Sequence, residues 1–128
     1  MSRRELFPII NVKAIAPVRH FYESVFGATV DYVFPEADDP VYLTLRVGDS
    51  SVAIGLGTGP AMYGETPLPA SGHAIDLCVY VPDLDAAVAT APSAGGTVVT
   101  EPADMPWGER VAYLQDPQGT MLLVIQGD

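Results

Sequence analysis

Residues 5–30 read ELFPIINVKAIAPVRHFYESVFGATV, and residues 74–99 read AIDLCVYVPDLDAAVATAPSAGGTVV. At a shift of sixty-nine positions the two stretches fall into register without a gap. Val12 meets Val81, Ser24 meets Ser93, Gly27 meets Gly96 and Val30 meets Val99. Carried onward at the same shift, Val52 meets Met121 and Leu56 meets Ile125, so residues 74–126 echo residues 5–57. Each copy holds an apolar strand, a short helix, a glycine and three more strands. A duplicated β-α-β-β-β unit predicts two half-sheets facing each other across one cleft, with the repeat naming the residues that line it.

Working outward, Leu6–Lys13 is the expected first strand. Pro17 suits the first turn of a helix running to Phe26 and closed by Gly27. Thr29–Phe34 alternates, an acidic loop follows with Glu36, Asp38 and Asp39, and Val41–Val47 alternates again. Gly48 and Asp49 turn the chain into a fourth strand, Ser51–Leu56. In the second copy, His73–Val81 is the first strand. Asp83 caps a helix to about Ala94, ended by Gly95 and Gly96. Thr97–Thr100 is a short strand, residues 101–108 a loop, Arg110–Gln115 a strand, and Thr120–Gln126 the last. The organisation is one domain over residues 1–128. It comprises a first module at 5–57, a Gly/Pro-rich linker at 58–72 and a second module at 73–127. The class is α+β, a mixed but mostly antiparallel sheet of two tandem modules.

The composition agrees with one folded domain. At 128 residues and 48% apolar content, the chain can bury a substantial core and is not broadly disordered. No run approaches the roughly 18 apolar residues of a membrane helix. Arg3 and Arg4 precede only the brief apolar stretch from Leu6 to Ile10, too short for a secretory core. Lone Cys78 forms no intrachain disulfide, and a cytoplasmic location is expected. Sixteen acids against six bases give a net charge of −10. Residues 1–30 carry four of those bases and two acids, leaving two bases and fourteen acids over residues 31–128. Nucleic acid is a poor partner for that surface, whereas a cationic small molecule would be attracted to it. The bland alternative is that the acids serve solubility.

Period-two alternation sorts the strand faces. Ile75, Leu77, Val79 and Val81 are expected beneath the second helix, with Asp76, Cys78 and Tyr80 towards the cleft. By the same shift, Leu6, Pro8, Ile10 and Val12 are expected under the first helix, with Phe7, Ile9 and Asn11 towards the cleft. The fourth strands are expected to add Ile54 and Leu56 from one copy and Leu123 and Ile125 from the other. The wall is then mostly apolar, with Asn11, Asp76 and Tyr80 as its polar points.

Four segments carry a family resemblance: Arg19-His20-Phe21-Tyr22-Glu23-Ser24-Val25-Phe26-Gly27, Val81-Pro82-Asp83-Leu84-Asp85-Ala86-Ala87, Pro106-Trp107-Gly108-Glu109-Arg110 and Asp116-Pro117-Gln118-Gly119-Thr120. Over essentially its whole length the chain resembles the vicinal oxygen chelate superfamily, which comprises glyoxalase I, bleomycin-resistance proteins and extradiol dioxygenases. The resemblance implies paired β-α-β-β-β modules, usually in a homodimer, sometimes with a module exchanged between chains. It also implies four places for a divalent metal's ligands, on the first and fourth strand of each module. These fall on Phe7, Ile54, Asp76 and Leu123. Three of the four cannot ligate, and one carboxylate is not a metal site. No metal and no other cofactor is therefore expected. His20 is expected at a surface or interface, His73 in a loop and Cys78 as a buried thiol. No phosphate loop is present, since no helix follows Gly55, Gly57 and Gly59.

What remains resembles the bleomycin-resistance branch, whose members bind a drug and sequester it. Trp107 resembles that branch's aromatic loop, Phe34 and Tyr42 flank the acidic loop, and Met62 and Tyr63 sit in the linker. Rings of this kind stack on planar ligands, and a cation gains further from acidic surroundings. The alternative for Trp107 and Phe34 is internal packing. The expected function is non-enzymatic capture of an aromatic or amphipathic small molecule, such as an antibiotic, by a homodimer. Its binding residues would be Phe7, Asn11, Phe34, Tyr42, Ile54, Asp76, Tyr80, Trp107 and Leu123. A second reading is a metal-free or atypical lyase, isomerase or oxygenase using Asp76 and Tyr80 as acid and base. A third is a module that binds only another protein, which would need an apolar patch outside the dimer contact.

Overall fold

The computed structural model describes residues 7–56 and 76–127. The expectations for Leu6, the linker, Met62, Tyr63, His73 and Ile75 lie outside the described residues. Cα proximity divides the chain into two compact units, residues 1–15 with 28–68, and residues 16–27 with 69–128.

The first unit holds a four-stranded sheet of β1 (Ile9–Asn11), β2 (Thr29–Phe34), β3 (Tyr42–Val47) and β4 (Ser50–Gly55), in the order β1-β4-β3-β2. β1 runs parallel to β4, and the other pairs are antiparallel. Gly48, at a φ of 60°, turns β3 into β4 by taking a backbone conformation that side chains disfavour. One face carries Ile10, Leu43, Leu45, Val52 and Ile54, all buried. The opposite face carries Ile9, Asn11, Tyr32, Phe34, Tyr42 and Thr44, aligned by the pairs Ile9–Ala53, Asn11–Gly55, Tyr42–Gly55, Thr44–Ala53, Tyr32–Thr44 and Phe34–Tyr42. A bulge at Asp31 makes this possible. Val30 pairs with buried Leu45, yet Tyr32, two residues later, pairs with Thr44 on the other face.

The second unit holds β5 (Leu77–Val81), β6 (Thr97–Asp104), β7 (Arg110–Gln115) and β8 (Met121–Gln126), in the order β5-β8-β7-β6. β5 runs parallel to β8, and the remaining pairs are antiparallel. The strand expected at Thr97–Thr100 continues to Asp104, into the stretch expected to be a loop. The pairing skips Glu101 and Pro102, so an irregularity accommodates the proline that lacks a donor. Helix α2 (Leu84–Thr90) is capped by Asp83, whose carboxylate accepts from the Ala86 amide at 3.1 Å. It ends earlier than expected: the chain passes at Pro92–Ala94 into a single 3-10 turn closed by Gly95 at a φ of 88°. Leu84, Ala87 and Val88 are buried from α2, and Leu114, Leu122 and Val124 from the sheet, whose strands β6, β7 and β8 α2 contacts.

Helix α1 (Ile15–Phe26) corrects the expectation that the first strand packs beneath its own copy's helix. From Ala16 onward it groups with the second sheet. Two side chains explain why. Phe21 lies over Gly96, where any Cβ would overlap its ring and come within 2.9 Å of the Gln115 carbonyl oxygen. Tyr22 donates its hydroxyl to Asp116 Oδ2 at 3.0 Å. Asp116, only 3% exposed, accepts through Oδ1 from the Gln118 and Thr120 amides at 2.9 and 2.8 Å. Burial, and then the Asp116 charge, raises the Tyr22 phenol far above its ordinary range, so it stays a donor.

Candidate functional site

The open face of the second sheet is set by strand register. Cys78 pairs with Leu123 and Tyr80 with Ile125 across β5 and β8. Leu123 and Ile125 pair in turn with Tyr113 and Val111 of β7. These six residues therefore share one face, with Asp76 one step ahead of β5. Asp76, Cys78, Tyr80, Leu123 and Ile125 are the residues that strand alternation places towards the cleft. Cys78 is exposed, not the buried thiol expected.

At one end of this face stands an aromatic and acidic cluster. Residues 105–109 close the β6–β7 hairpin, with the Met105 amide donating to the Glu109 carbonyl at 2.7 Å and the Gly108 amide to the Met105 carbonyl at 3.0 Å. Gly108 has a φ of 100°, and Trp107 is left 67% exposed at the tip. The Trp107 indole N–H donates to Glu109 Oε1 at 2.9 Å, and the Tyr80 hydroxyl donates to Glu109 Oε2 at 3.2 Å. Tyr80 is itself 65% exposed. Tyr80 lies on β5 and Glu109 just ahead of β7, with β8 between those strands, and two inter-strand spacings are about 10 Å. Residue 127, which follows β8 between them, is a glycine, and a Cβ there would lie 3.5 Å from Tyr80 Cβ. The long phenol thus runs past a residue with no side chain to reach the carboxylate. Donation to Glu109, and then the Glu109 charge, raises the Tyr80 phenol above its usual range.

A second polar pair lies on the same face. Tyr113 donates its hydroxyl to Asp76 Oδ2 across a long 3.4 Å contact. Partial burial, and then the Asp76 charge, raises the Tyr113 phenol. Asp76 thus meets Tyr113, and Tyr80 meets Glu109. Neither Tyr113 nor Glu109 was named as a site residue from sequence. The signal was available, because alternation back from Tyr113 through Val111 reaches Glu109, two residues after Trp107.

The open face of the first sheet carries Asn11, Phe34 and Tyr42, with Phe7 half-buried just before β1. Tyr32, not singled out from sequence, meets Tyr42 edge to face at 6.3 Å. Ile54 does not belong with them. It is fully buried on the opposite face, paired with Ile10 and Leu43. The reason is a turn. Val47 pairs with Ser50 around two residues, whereas the Asp116 amide bonds the Thr120 carbonyl around three. The sixty-nine-residue shift therefore becomes seventy beyond the turn, and the counterpart of Leu123 is Ala53, which pairs with Ile9 as Leu123 pairs with Cys78.

The metal positions of the resemblance, corrected for this shift, are Phe7, Ala53, Asp76 and Leu123. One carboxylate among three apolar side chains does not fit a divalent ion. Among the described residues no three His, Cys, Asp or Glu side chains group closely enough to hold a metal. No helix among the described residues is long and apolar enough to cross a membrane.

A family model described as Glyoxalase/Bleomycin resistance protein/Dioxygenase superfamily matches residues 6–124. CFP32 of Mycobacterium tuberculosis, which bears a provisional glyoxylase name, is 38% identical over 106 residues, covering 83% of this chain. The anthracycline biosynthesis protein DnrV of Streptomyces peucetius is 35% identical over 113 residues, covering 88% of this chain. The chain spans only 37% of the length of either relative. Among solved structures, TioX from Micromonospora sp. ML1 matches with a TM-score of 0.72 at 20% identity, covering 97% of this chain and 98% of its own. At that identity the likeness speaks for the fold alone.

Proposed function

The chain belongs to the Glyoxalase/Bleomycin resistance protein/Dioxygenase superfamily, and we propose that within it the protein captures an aromatic or amphipathic small molecule without turning it over. The observation that carries this reading is Trp107, tethered through its indole N–H to Glu109 yet 67% exposed, with the Tyr80 hydroxyl on the same carboxylate. An exposed indole costs solvation, and pinning it by its only polar atom orients it for stacking. Exposed Cys78 and half-buried Leu123 extend the same face, over buried Val111 and Ile125. On the first sheet, Phe7, Asn11, Phe34 and Tyr42 are proposed as ligand-binding residues of the same kind.

In the finer form of this proposal the protein is a cytoplasmic homodimer of the bleomycin-resistance type, and the ligand is an antibiotic. Sequestration then acts by mass action, lowering the free drug concentration. The test is a thermal-shift survey of planar aromatic compounds, followed by calorimetry on those that bind. Trp107→Ala should weaken a stacked ligand by more than about tenfold, or roughly 1.4 kcal/mol. An unchanged dissociation constant removes Trp107 from the site, and stoichiometric divalent metal in the purified protein overturns the metal-free reading.

The contact between Asp76 and Tyr113 favours one other reading, an acid–base enzyme in which Asp76 is the base and Tyr113, its hydrogen-bond donor, the acid. Turnover that Asp76→Asn abolishes while ligand binding survives is its mark.

A further inference from the structure

We infer that Glu109, between Tyr80 and Trp107, makes the second sheet's open face selective for a cationic ligand, a planar or amphipathic molecule carrying a protonated amine or quaternary nitrogen. The inference rests on the ligand-binding reading above and adds the charge that the ligand must bear.

Glu109 receives hydrogen bonds from two neutral donors, the Tyr80 hydroxyl and the Trp107 indole N–H, one on each oxygen. No Lys or Arg among the described residues pairs with it. The adjacent cation, Arg110, is engaged elsewhere. Strand alternation turns it to the opposite face, where it meets Asp85 of α2 at 3.3 Å and Asp104 at 3.4 Å. Its hydrogen bond to Asp85, more than any other contact, favours the charged guanidinium. Among the described residues, the neighbouring Arg110 charge is thus drawn to the other face, and the carboxylate is left to two ring tips.

A carboxylate has about four acceptor sites, and the rings use two of them. The remaining lone pairs are available to an incoming N–H group. Each ring also presents a face of negative electrostatic potential, so one cation can meet the carboxylate and an aromatic face together. A neutral ligand of the same shape would strip water from the carboxylate without supplying an opposite charge. Discrimination by charge follows from the geometry, and the acidic surface as a whole adds only long-range attraction.

The test uses N-methylacridinium, a permanent cation, against acridine, its neutral near-isostere above neutral pH. Trp107 is the only tryptophan of the chain, so quenching of its fluorescence reports binding at this place, with calorimetry as a second measure. The wild-type protein should bind the cation at least about tenfold more tightly, and Glu109→Gln should bring the two probes within about twofold of each other. Equal affinities in the wild-type protein overturn the charge inference and leave the stacking reading standing. A preference that persists in Glu109→Gln assigns it to the overall charge and overturns the inference as well. If Glu109→Gln binds neither probe, Glu109 serves only to hold the rings and the inference falls. If the wild-type protein binds neither, the ligand-binding reading falls with it.

Discussion

Replacing Tyr22 by Phe removes one oxygen and tests whether α1 is anchored to the second unit. The lost group is the hydroxyl that meets Asp116 Oδ2 at 3.0 Å in a buried site. A hydrogen bond to a charged acceptor contributes about 1.5–3 kcal/mol net. Asp116 Oδ1 keeps both of its backbone amides, which limits the damage, and the phenylalanine ring retains the packing against Phe21 and Phe26. The expected loss is therefore about 2 kcal/mol, near the lower part of that range. Urea unfolding followed by the fluorescence of Trp107, which lies in the same unit, measures it. Alkaline pH gives an independent signature. The folded Tyr22 phenol titrates above its ordinary value near 10, so beyond that pH the unfolded chain releases a proton that the folded chain retains. Stability from this group is intact below about pH 10 and falls above it by up to about 1.4 kcal/mol per pH unit. Tyr22→Phe should lack that component, and subtracting the two pH profiles cancels the other tyrosines. A loss below about 0.5 kcal/mol, with parallel alkaline profiles, would refute the anchoring of α1 through Asp116.

Gly96→Ala should cost about 1–3 kcal/mol in the same assay, because its Cβ overlaps the Phe21 ring and crowds a backbone oxygen that cannot easily move. An unchanged midpoint would mean that Phe21 does not rest on Gly96. Cys78, the single cysteine and an exposed one, should react readily with a colorimetric thiol reagent in the native protein. In a Cys78→Ser chain, Ile54→Cys should stay unreactive until the protein is denatured, and fast labelling in the native state would return position 54 to the open face.

Much of this molecule was legible in order of sequence. The repeat located both β-α-β-β-β copies, and the alternation of Leu77 to Val81 put Cys78 and Tyr80 on the open side without any knowledge of their neighbours. Errors began where a statement crossed a turn. The sixty-nine-residue shift makes Ile54 the counterpart of Leu123 only if both copies turn alike, and the one extra residue around Pro117, Gln118 and Gly119 reverses the face of every position on β4. Trp107 was legible as an aromatic at a loop, but the carboxylate it shares with Tyr80 was not, because Tyr80 on β5 reaches the β6–β7 hairpin only through β8.

The sequence by itself determined the order of the elements and their repetition. These follow from local periodicity and from side-chain chemistry, which do not depend on distant contacts. The tertiary structure decided three things that no local pattern encodes. Helix α1 joined the second unit, because Gly96 and Asp116 offer a seat and a hydrogen-bond acceptor for Phe21 and Tyr22. Ala53 replaced Ile54 on the open face, because strand register is set by turn length. Glu109 gathered Tyr80 and Trp107 while Arg110 turned away, because Glu109 ends the hairpin loop and Arg110, the first residue of β7, faces the side opposite Val111 and meets Asp85 and Asp104 there.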